Sequence, residues 1–332
     1  MHSVPRQLIN QQAASLGLPK LRHNPHVFPQ RIVSFLPSAT EMVYSLGAGD
    51  RLVAVTHECD FPPEARNKPI AVRAALLLAT MTSSEIDVAV SRQSSTGASL
   101  YTVDEHLLRE LQPDLIITQE LCQVCAPSGN EITQALKQLS QAPRVLTLTP
   151  HSLDDVLQNV LEVGDAIGCR DRADVLVQNA RDRLEIIRQQ TASLIRPRVF
   201  CMEWTDPIYC SGHWVPEMVE IAGGLDPIGG RETDSVRTSW EEVVAAKPEV
   251  LVIMPCGFSL ADAVKQAASL PALPAWMDLP AVRSGRVFVV DANAYFARPG
   301  PRVVEGTELL AHLFHPAEVG WRGPADAFAK LS

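Results

Sequence analysis

The side chains in this sequence best equipped for chemistry are thiols and imidazoles. Cys122-Gln-Val-Cys125 has the two-residue spacing of a metal or redox pair, and His57-Glu-Cys59-Asp60 can add ligands from a neighbouring strand end. Together Cys59, Cys122, Cys125 and His57 make a candidate set for a bound metal ion. The competing reading is structural, because unpaired cysteines often serve as small buried hydrophobes. A redox-active pair is disfavoured: Pro127 and Gly129 follow it, where a helix N-terminus would be needed to lower a thiol pKa. His213 and His57 both stand at predicted strand ends, where a neutral imidazole can ligate a metal or simply hydrogen-bond.

A second chemistry is that of flat apolar contact. Asp206-Pro-Ile-Tyr-Cys-Ser-Gly-His-Trp214 and Asp291-Ala-Asn-Ala-Tyr-Phe-Ala-Arg-Pro-Gly-Pro-Arg302 carry Trp214, Tyr295, Phe296 and Arg298 between prolines and glycines. Three of the four tyrosines, Tyr101 among them, are placed in loops. Rings of a core would recur on a helical or alternating period, whereas these cluster where the chain reaches the surface. They read as walls of a pocket for a large, flat or greasy ligand; the alternative is rings folding back onto their own lobe.

Both loops follow apolar runs, Arg198-Val-Phe-Cys-Met-Glu203 and Arg286-Val-Phe-Val-Val290, that predict buried strands, and the carboxyl ends of such strands are where open α/β sheets hold ligands. The wider pattern is α/β. In the first half, strands are expected at 31–36, 52–55, 114–118 and 144–148, with helices opening at Ser38 and lying around 103–111 and 130–141. In the second half, strands are expected at 198–203, 249–254 and 286–290, with helices after Pro216, Ser239, Leu260 and Arg302. Ser152–Ile167 and Arg170–Leu194 carry apolar residues at helical spacing, such as Val175, Leu176, Leu184 and Ile187. The second stretch would run roughly 35 Å at 1.5 Å per residue. The expected architecture is two Rossmann-like lobes with mostly parallel sheets joined by a long rigid backbone helix, which would leave the lobes little freedom to move. Its divisions are an arm at 1–30, a lobe at 31–150, linking helices at 151–195, a lobe at 196–320 and a tail at 321–332.

With 332 residues, 46% of them hydrophobic, the chain can bury two cores. A net charge of -9 and a pI near 5.5 argue against a nucleic-acid partner. No run of about 18 apolar residues is present to span a membrane. Seven scattered cysteines do not suggest a disulfide framework. The first thirty residues hold Arg6, Lys20, Arg22 and three histidines but no apolar stretch and no small-residue cleavage site, so a cytoplasmic location is expected, or a periplasmic one if the native start is longer. There is no phosphate-cradling glycine loop, no G-x-S-x-G elbow and no HExxH.

Several motifs in order carry a family resemblance. They are Arg31-Ile-Val-Ser-Phe-Leu-Pro-Ser-Ala-Thr-Glu41 with Leu46-Gly47, Val55-Thr-His-Glu-Cys-Asp-Phe-Pro-Pro63, Leu111-Gln-Pro-Asp-Leu-Ile-Ile117, Gly223-Gly224, Lys247-Pro-Glu-Val-Leu-Val-Ile253 and Arg298-Pro-Gly-Pro-Arg302. The set resembles the helical-backbone substrate-binding proteins of ABC importers for cobalamin and ferric siderophores, over about residues 30–315. Asp206-Pro and Ser211-Gly212, with Tyr295-Phe296-x-Arg298, look most like the cobalamin-binding branch.

The resemblance implies non-catalytic binding of cobalamin or a related corrinoid between the lobes. Trp214, Tyr295, Phe296 and Tyr101 would supply flat contact, and Ser38, Arg298 and backbone groups the donors, with Pro37 also at the site and His57 or His213 a candidate axial ligand to cobalt. Ser38 and Glu41 also have the spacing of a helix capping box, which accounts for them without a ligand. The family docks on its permease through one carboxylate from each lobe. Glu241 matches the second-lobe position, but the first-lobe position falls on His106, one residue from Glu105. The other class left open is a metal- or siderophore-handling protein, or an enzyme, that uses the cysteine and histidine group.

Overall fold

The computed structural model of the chain describes residues 28–75, 81–96, 100–119, 136 and 139–331. Backbone contacts divide it into two compact units. One takes in the chain up to Leu76, Gln93–Leu148 and Val163–Cys169; the other takes in Leu77–Arg92, Thr149–Glu162 and Arg170–Ser332.

The first unit is built on β1 (Ile32–Ser34), β2 (Leu52–Thr56), β3 (Ile70–Ala74), β4 (Tyr101–Val103), β5 (Leu115–Gln119) and β6 (Arg144–Leu148), in the order β4-β3-β2-β1-β5-β6. All neighbours are parallel except β3 and β4. The central strands are apolar on both faces because helices cover both, and Val33, Phe35, Ala54, Val72 and Ile116 fill one side. The Pro113-Asp114 motif has a structural task. Asp114 accepts hydrogen bonds from the backbone N–H of Gln30 at 2.8 Å and Arg31 at 3.0 Å, holding the start of β1 beside β5.

Two sequence expectations change here. The helix α1 (Pro37–Ser45) begins one residue before Ser38, with Leu36 as its N-cap and Pro37 at its first position, where a missing N–H costs nothing. Ser38 is therefore inside the helix and buried, and it makes no capping box with Glu41. Tyr101 lies in the edge strand β4 opposite Ala74, half-buried against the core, rather than in a loop. The helix α2 (Ser83–Thr96) and the strands β3 and β4 went unrecognised, being short or weakly periodic; α3 (Glu105–Leu111) was anticipated. The helix expected at 130–141 falls almost wholly outside the described residues.

The second unit has β7 (Val199–Thr205), β8 (Ile208–Cys210), β9 (Val250–Ile253), β10 (Val287–Val290) and β11 (Phe328–Lys330) in the order β11-β10-β9-β7-β8. Its centre, β7-β9-β10, is parallel and its two edges are antiparallel. Glu249 repeats the device of Asp114: its carboxylate takes the N–H of Arg198 at 2.9 Å, and the backbone of Glu249 donates to the Arg198 carbonyl at 2.7 Å. Tyr209 sits in β8, again in a strand rather than a loop, and the expected tail supplies β11. The reading of an α/β chain with two mostly parallel sheets is borne out.

The long helices are α4 (Leu153–Ile167) and α5 (Arg170–Thr191). The buried stripe of α5 is Ala173, Val177, Ala180, Leu184, Ile187 and Thr191; Val175, expected on that stripe, is 62% exposed. The remaining helices are α6 (Val215–Ile221), α7 (Trp240–Ala246), α8 (Leu260–Ala267), α9 (Pro280–Arg283), α10 (Ala292–Tyr295) and α11 (Val303–Phe314). Arg183 on α5 ties to α11 with two 2.8 Å hydrogen bonds to Glu308 and one of 3.1 Å to Glu305. At Gly223 the backbone has φ +78°, and an added Cβ would lie 2.7 Å from that of Thr191, so only glycine closes the turn after α6.

Candidate functional site

Parallel strands β7, β9 and β10 end on one edge of the second unit, and the chain places aromatic and polar groups there. Trp204, next to last in β7, meets Phe258, which follows β9, with ring centroids 5.5 Å apart and planes at 53°. Both rings are half-buried. No motif of the sequence singles out this pair; the signal it carries is a tryptophan at the polar end of an otherwise apolar strand.

The start of α2 also lies on this edge. Ser83 accepts from the Trp204 indole N–H through its carbonyl at 3.1 Å, and its hydroxyl lies 2.7 Å from Gln266 Oε1 and 3.2 Å from Thr205 Oγ1. One turn on, Asp87 receives the Tyr209 hydroxyl at 3.1 Å and Arg237 Nη2 at 2.6 Å. Arg237 Nε donates to the Tyr209 hydroxyl at 3.0 Å, and its guanidinium stands 5.8 Å from the Tyr209 ring centre. The Arg237 pKa is held up by its bonds to Tyr209 and Asp87.

Beneath the edge is a cluster of carboxyl, hydroxyl and thiol groups. Glu203 accepts from Gly212 N–H at 3.3 Å and from the Ser235 hydroxyl; Asp226 accepts from Gly229 N–H at 2.7 Å, Ile228 N–H at 3.0 Å and the Ser211 hydroxyl at 2.6 Å. Burial, reinforced by the charge of Asp226, pushes Glu203 up to about 7 against its two hydrogen bonds. Asp226 is raised by burial as well. Neighbouring Cys201 and Cys210 are raised by burial, which makes them unreactive thiols.

The rings expected to face a ligand are mostly elsewhere. Trp214 is 4% exposed, with its indole N–H donating to the Phe296 carbonyl at 2.8 Å; Phe296 is 1% and Tyr295 8% exposed. Tyr295 packs edge-on to Phe296 and Trp321. The expectation of surface rings is thus corrected for these three: they fold back onto their own unit beside α6 and α11. Arg298 is half-buried and has interactions of its own.

His213 holds a turn at φ +52°, its N–H bonded to the Thr233 carbonyl at 2.6 Å. Its ring stacks on His151 with centroids 6.2 Å apart, and Nε2 lies 3.2 Å from Asp234 Oδ1 without hydrogen-bond geometry. Burial lowers its pKa against the opposing charge of Asp234. In the first unit, Pro37, Ser38 and His57 sit at the carboxyl ends of β1 and β2, where His57 is exposed and Ser38 buried.

The metal set does not assemble among the described residues, where no group of three or more histidine, cysteine, aspartate or glutamate side chains could hold an ion. The buried Cys59 thiol is 3.0 Å from Thr40 Oγ1. Cys122 and Cys125 lie outside the described residues. Nor, among those residues, is any helix long and apolar enough to cross a membrane.

Comparison with known proteins adds identity to this geometry. The family described as periplasmic binding protein matches residues 32–294. An uncharacterized ABC transporter substrate-binding lipoprotein of Bacillus subtilis is 28% identical over 296 residues, which cover 87% of this chain and 81% of that protein. The vitamin B12-binding protein of Vibrio cholerae is 26% identical over 286 residues, 85% of this chain and 88% of that one. The structure of a periplasmic heme-binding protein from Pseudomonas aeruginosa matches with a TM-score of 0.68 at 21% identity, over 92% of this chain and 99% of that one, a likeness of fold.

These relatives overturn the cytoplasmic expectation and point to an extracellular or periplasmic location. Nor do the unpaired thiols report a compartment, since a buried thiol such as Cys201 is inert in oxidising surroundings too.

Proposed function

This chain belongs to the periplasmic binding protein family, whose members are substrate-binding components of transport, and from that premise we propose that it binds cobalamin or a related corrinoid without converting it and delivers it to an ABC importer. The observation that carries the ligand is the 26% identity, over 85% of the chain, to proteins named for vitamin B12 binding. The geometry supports it: Trp204 and Phe258 offer flat apolar surface at a strand-end edge, with hydroxyl, amide and guanidinium donors around them, which suits a corrin ring with an amide rim. Pro37, Ser38, His57, Tyr101 and Arg298 are the remaining candidates for contact.

Docking on the permease is assigned to Glu241, exposed in the first turn of α7. In the first unit the corresponding place is held by exposed His106, 3.7 Å from Glu110, with half-buried Glu105 beside it.

The test is a titration of the purified chain with cyanocobalamin and with cobinamide, followed by visible absorbance and tryptophan quenching. One equivalent per chain is expected, and Trp204→Ala should weaken binding by about 1 to 3 kcal/mol. No absorbance change and no quenching with either corrinoid, from folded protein, would sink the reading.

A further inference from the structure

We propose that Thr82–Arg92 is a detachable strap on the ligand edge of the second unit, latched by Asp87 to Arg237 and Tyr209, which must lift for ligand to reach Trp204 and Phe258. The proposal rests on the binding function above. Five contacts hold the segment to this edge: the Ser83 carbonyl on the Trp204 indole, the Ser83 hydroxyl with Thr205 and with Gln266, and Asp87 with both Tyr209 and Arg237. These polar contacts lie where the parallel strands deliver their carboxyl ends, the place an α/β sheet offers to a ligand.

The seat is built to release. Ser83 and Ile86 are buried, but Val88 is 63% exposed, and Val236, next to Arg237 in sequence, is 56% exposed. Lifting the segment costs little at two of its partners. The Trp204 N–H keeps a second acceptor, the Asp206 carbonyl at 3.1 Å, while exposed Arg237 regains water. The helix itself is marginal: Ser83-Ser-Glu-Ile-Asp-Val-Ala-Val-Ser-Arg92 is rich in serine and β-branched residues, which are weak helix formers. Low apolar burial with replaceable hydrogen bonds is the signature of a segment that opens locally, below the cost of global unfolding. What it uncovers is the indole edge, which adjoins the phenyl ring of Phe258 and with it offers the flat apolar surface a corrin would cover.

The full-length chain, Asp87→Asn and Arg237→Gln are compared in two measurements. Hydrogen exchange, which needs no ligand, should show the amides of 83–92 opening separately from those of β7 and β9, and faster in both variants. Stopped-flow quenching with cobinamide should show association accelerated by roughly three- to tenfold in both, the scale expected from losing one exposed ion pair and a hydrogen bond. The double variant should gain little over either alone, because both cut one latch. Strap amides that exchange only with the strands would overturn the proposal. So would a strap that opens faster in the variants while the association rate stays put. If exchange shows the opening but no corrinoid quenches any protein, the ligand reading falls, and exchange alone has then confirmed the opening.

Discussion

Glu203 is the residue whose surroundings are most at odds with its charge. Its carboxyl is enclosed beside Asp226 with a hydroxyl and one amide as partners, and its pKa stands at about 7 against 4.5 for a free glutamate. A raised carboxyl binds its proton more tightly folded than unfolded. Its contribution to stability is therefore fully present below about pH 4.5 and is lost as pH rises through 7, and raised Asp226 acts in the same direction. Urea unfolding should show stability falling across this window by up to about 3 kcal/mol, following 1.36 kcal/mol per pKa unit. Glu203→Gln should flatten that slope, and an unchanged slope would show that Glu203 reaches water. The tryptophans separate by role. Trp214→Ala opens a cavity in packed core and should cost about 3 to 5 kcal/mol of stability, measured by chemical denaturation. Trp204→Ala should act on corrinoid affinity instead.

At the scale of elements, the strand starts are held by single carboxylates. Asp114 binds two N–H groups at the head of β1, and Glu249 one at the head of β7. Removing such an acceptor leaves donors unsatisfied at about 1 to 3 kcal/mol. Asp114→Ala should lower the unfolding midpoint accordingly, with Asp114→Asn recovering part of it; equal loss in both would mean that charge, not hydrogen bonding, matters. The Pro-Asp and Pro-Glu motifs that mark the family are thus read here as parts of the fold. Gly223 belongs with them, since Gly223→Ala must both adopt positive φ and move Thr191 or His315. The capping box that Ser38 and Glu41 suggested occurs instead in α7, where Ser239 and Glu242 form it in full.

For the molecule as a whole, both sheets have parallel centres; the first has one antiparallel edge, β4, and the second has two, β8 and β11. A ligand that binds only the folded chain stabilises it by RT ln(1 + [L]/Kd), about 2.7 kcal/mol at a hundredfold excess over Kd. Cobinamide should therefore raise the thermal midpoint in proportion to the logarithm of its concentration, and a midpoint indifferent to it would contradict the binding reading. Glu241→Lys should leave that shift intact and reduce importer-dependent uptake in cells, since the residue is exposed on α7 and remote in role from ligand contact.

The sequence by itself determined the α/β class and the placement of β1, β2, β5, β7, β9 and β10, because buried parallel strands must be apolar on both faces and announce themselves as runs. It determined the long helix, expected over 170–194 and found over 170–191, and, through ordered motifs, the family. It did not reveal β4, β8 and β11, which are three residues each and stabilised by pairing along a sheet edge rather than by any local pattern. Nor could it assign the rings. Trp214, Tyr295 and Phe296 follow the same kinds of turn as surface aromatics, and only their packing against α6 and α11 put them in the core. Trp204 and Asp87 are 117 residues apart in the chain and share an edge because tertiary folding brings α2 to β7. Contacts at that separation depend on loop closure and packing, which local sequence does not encode.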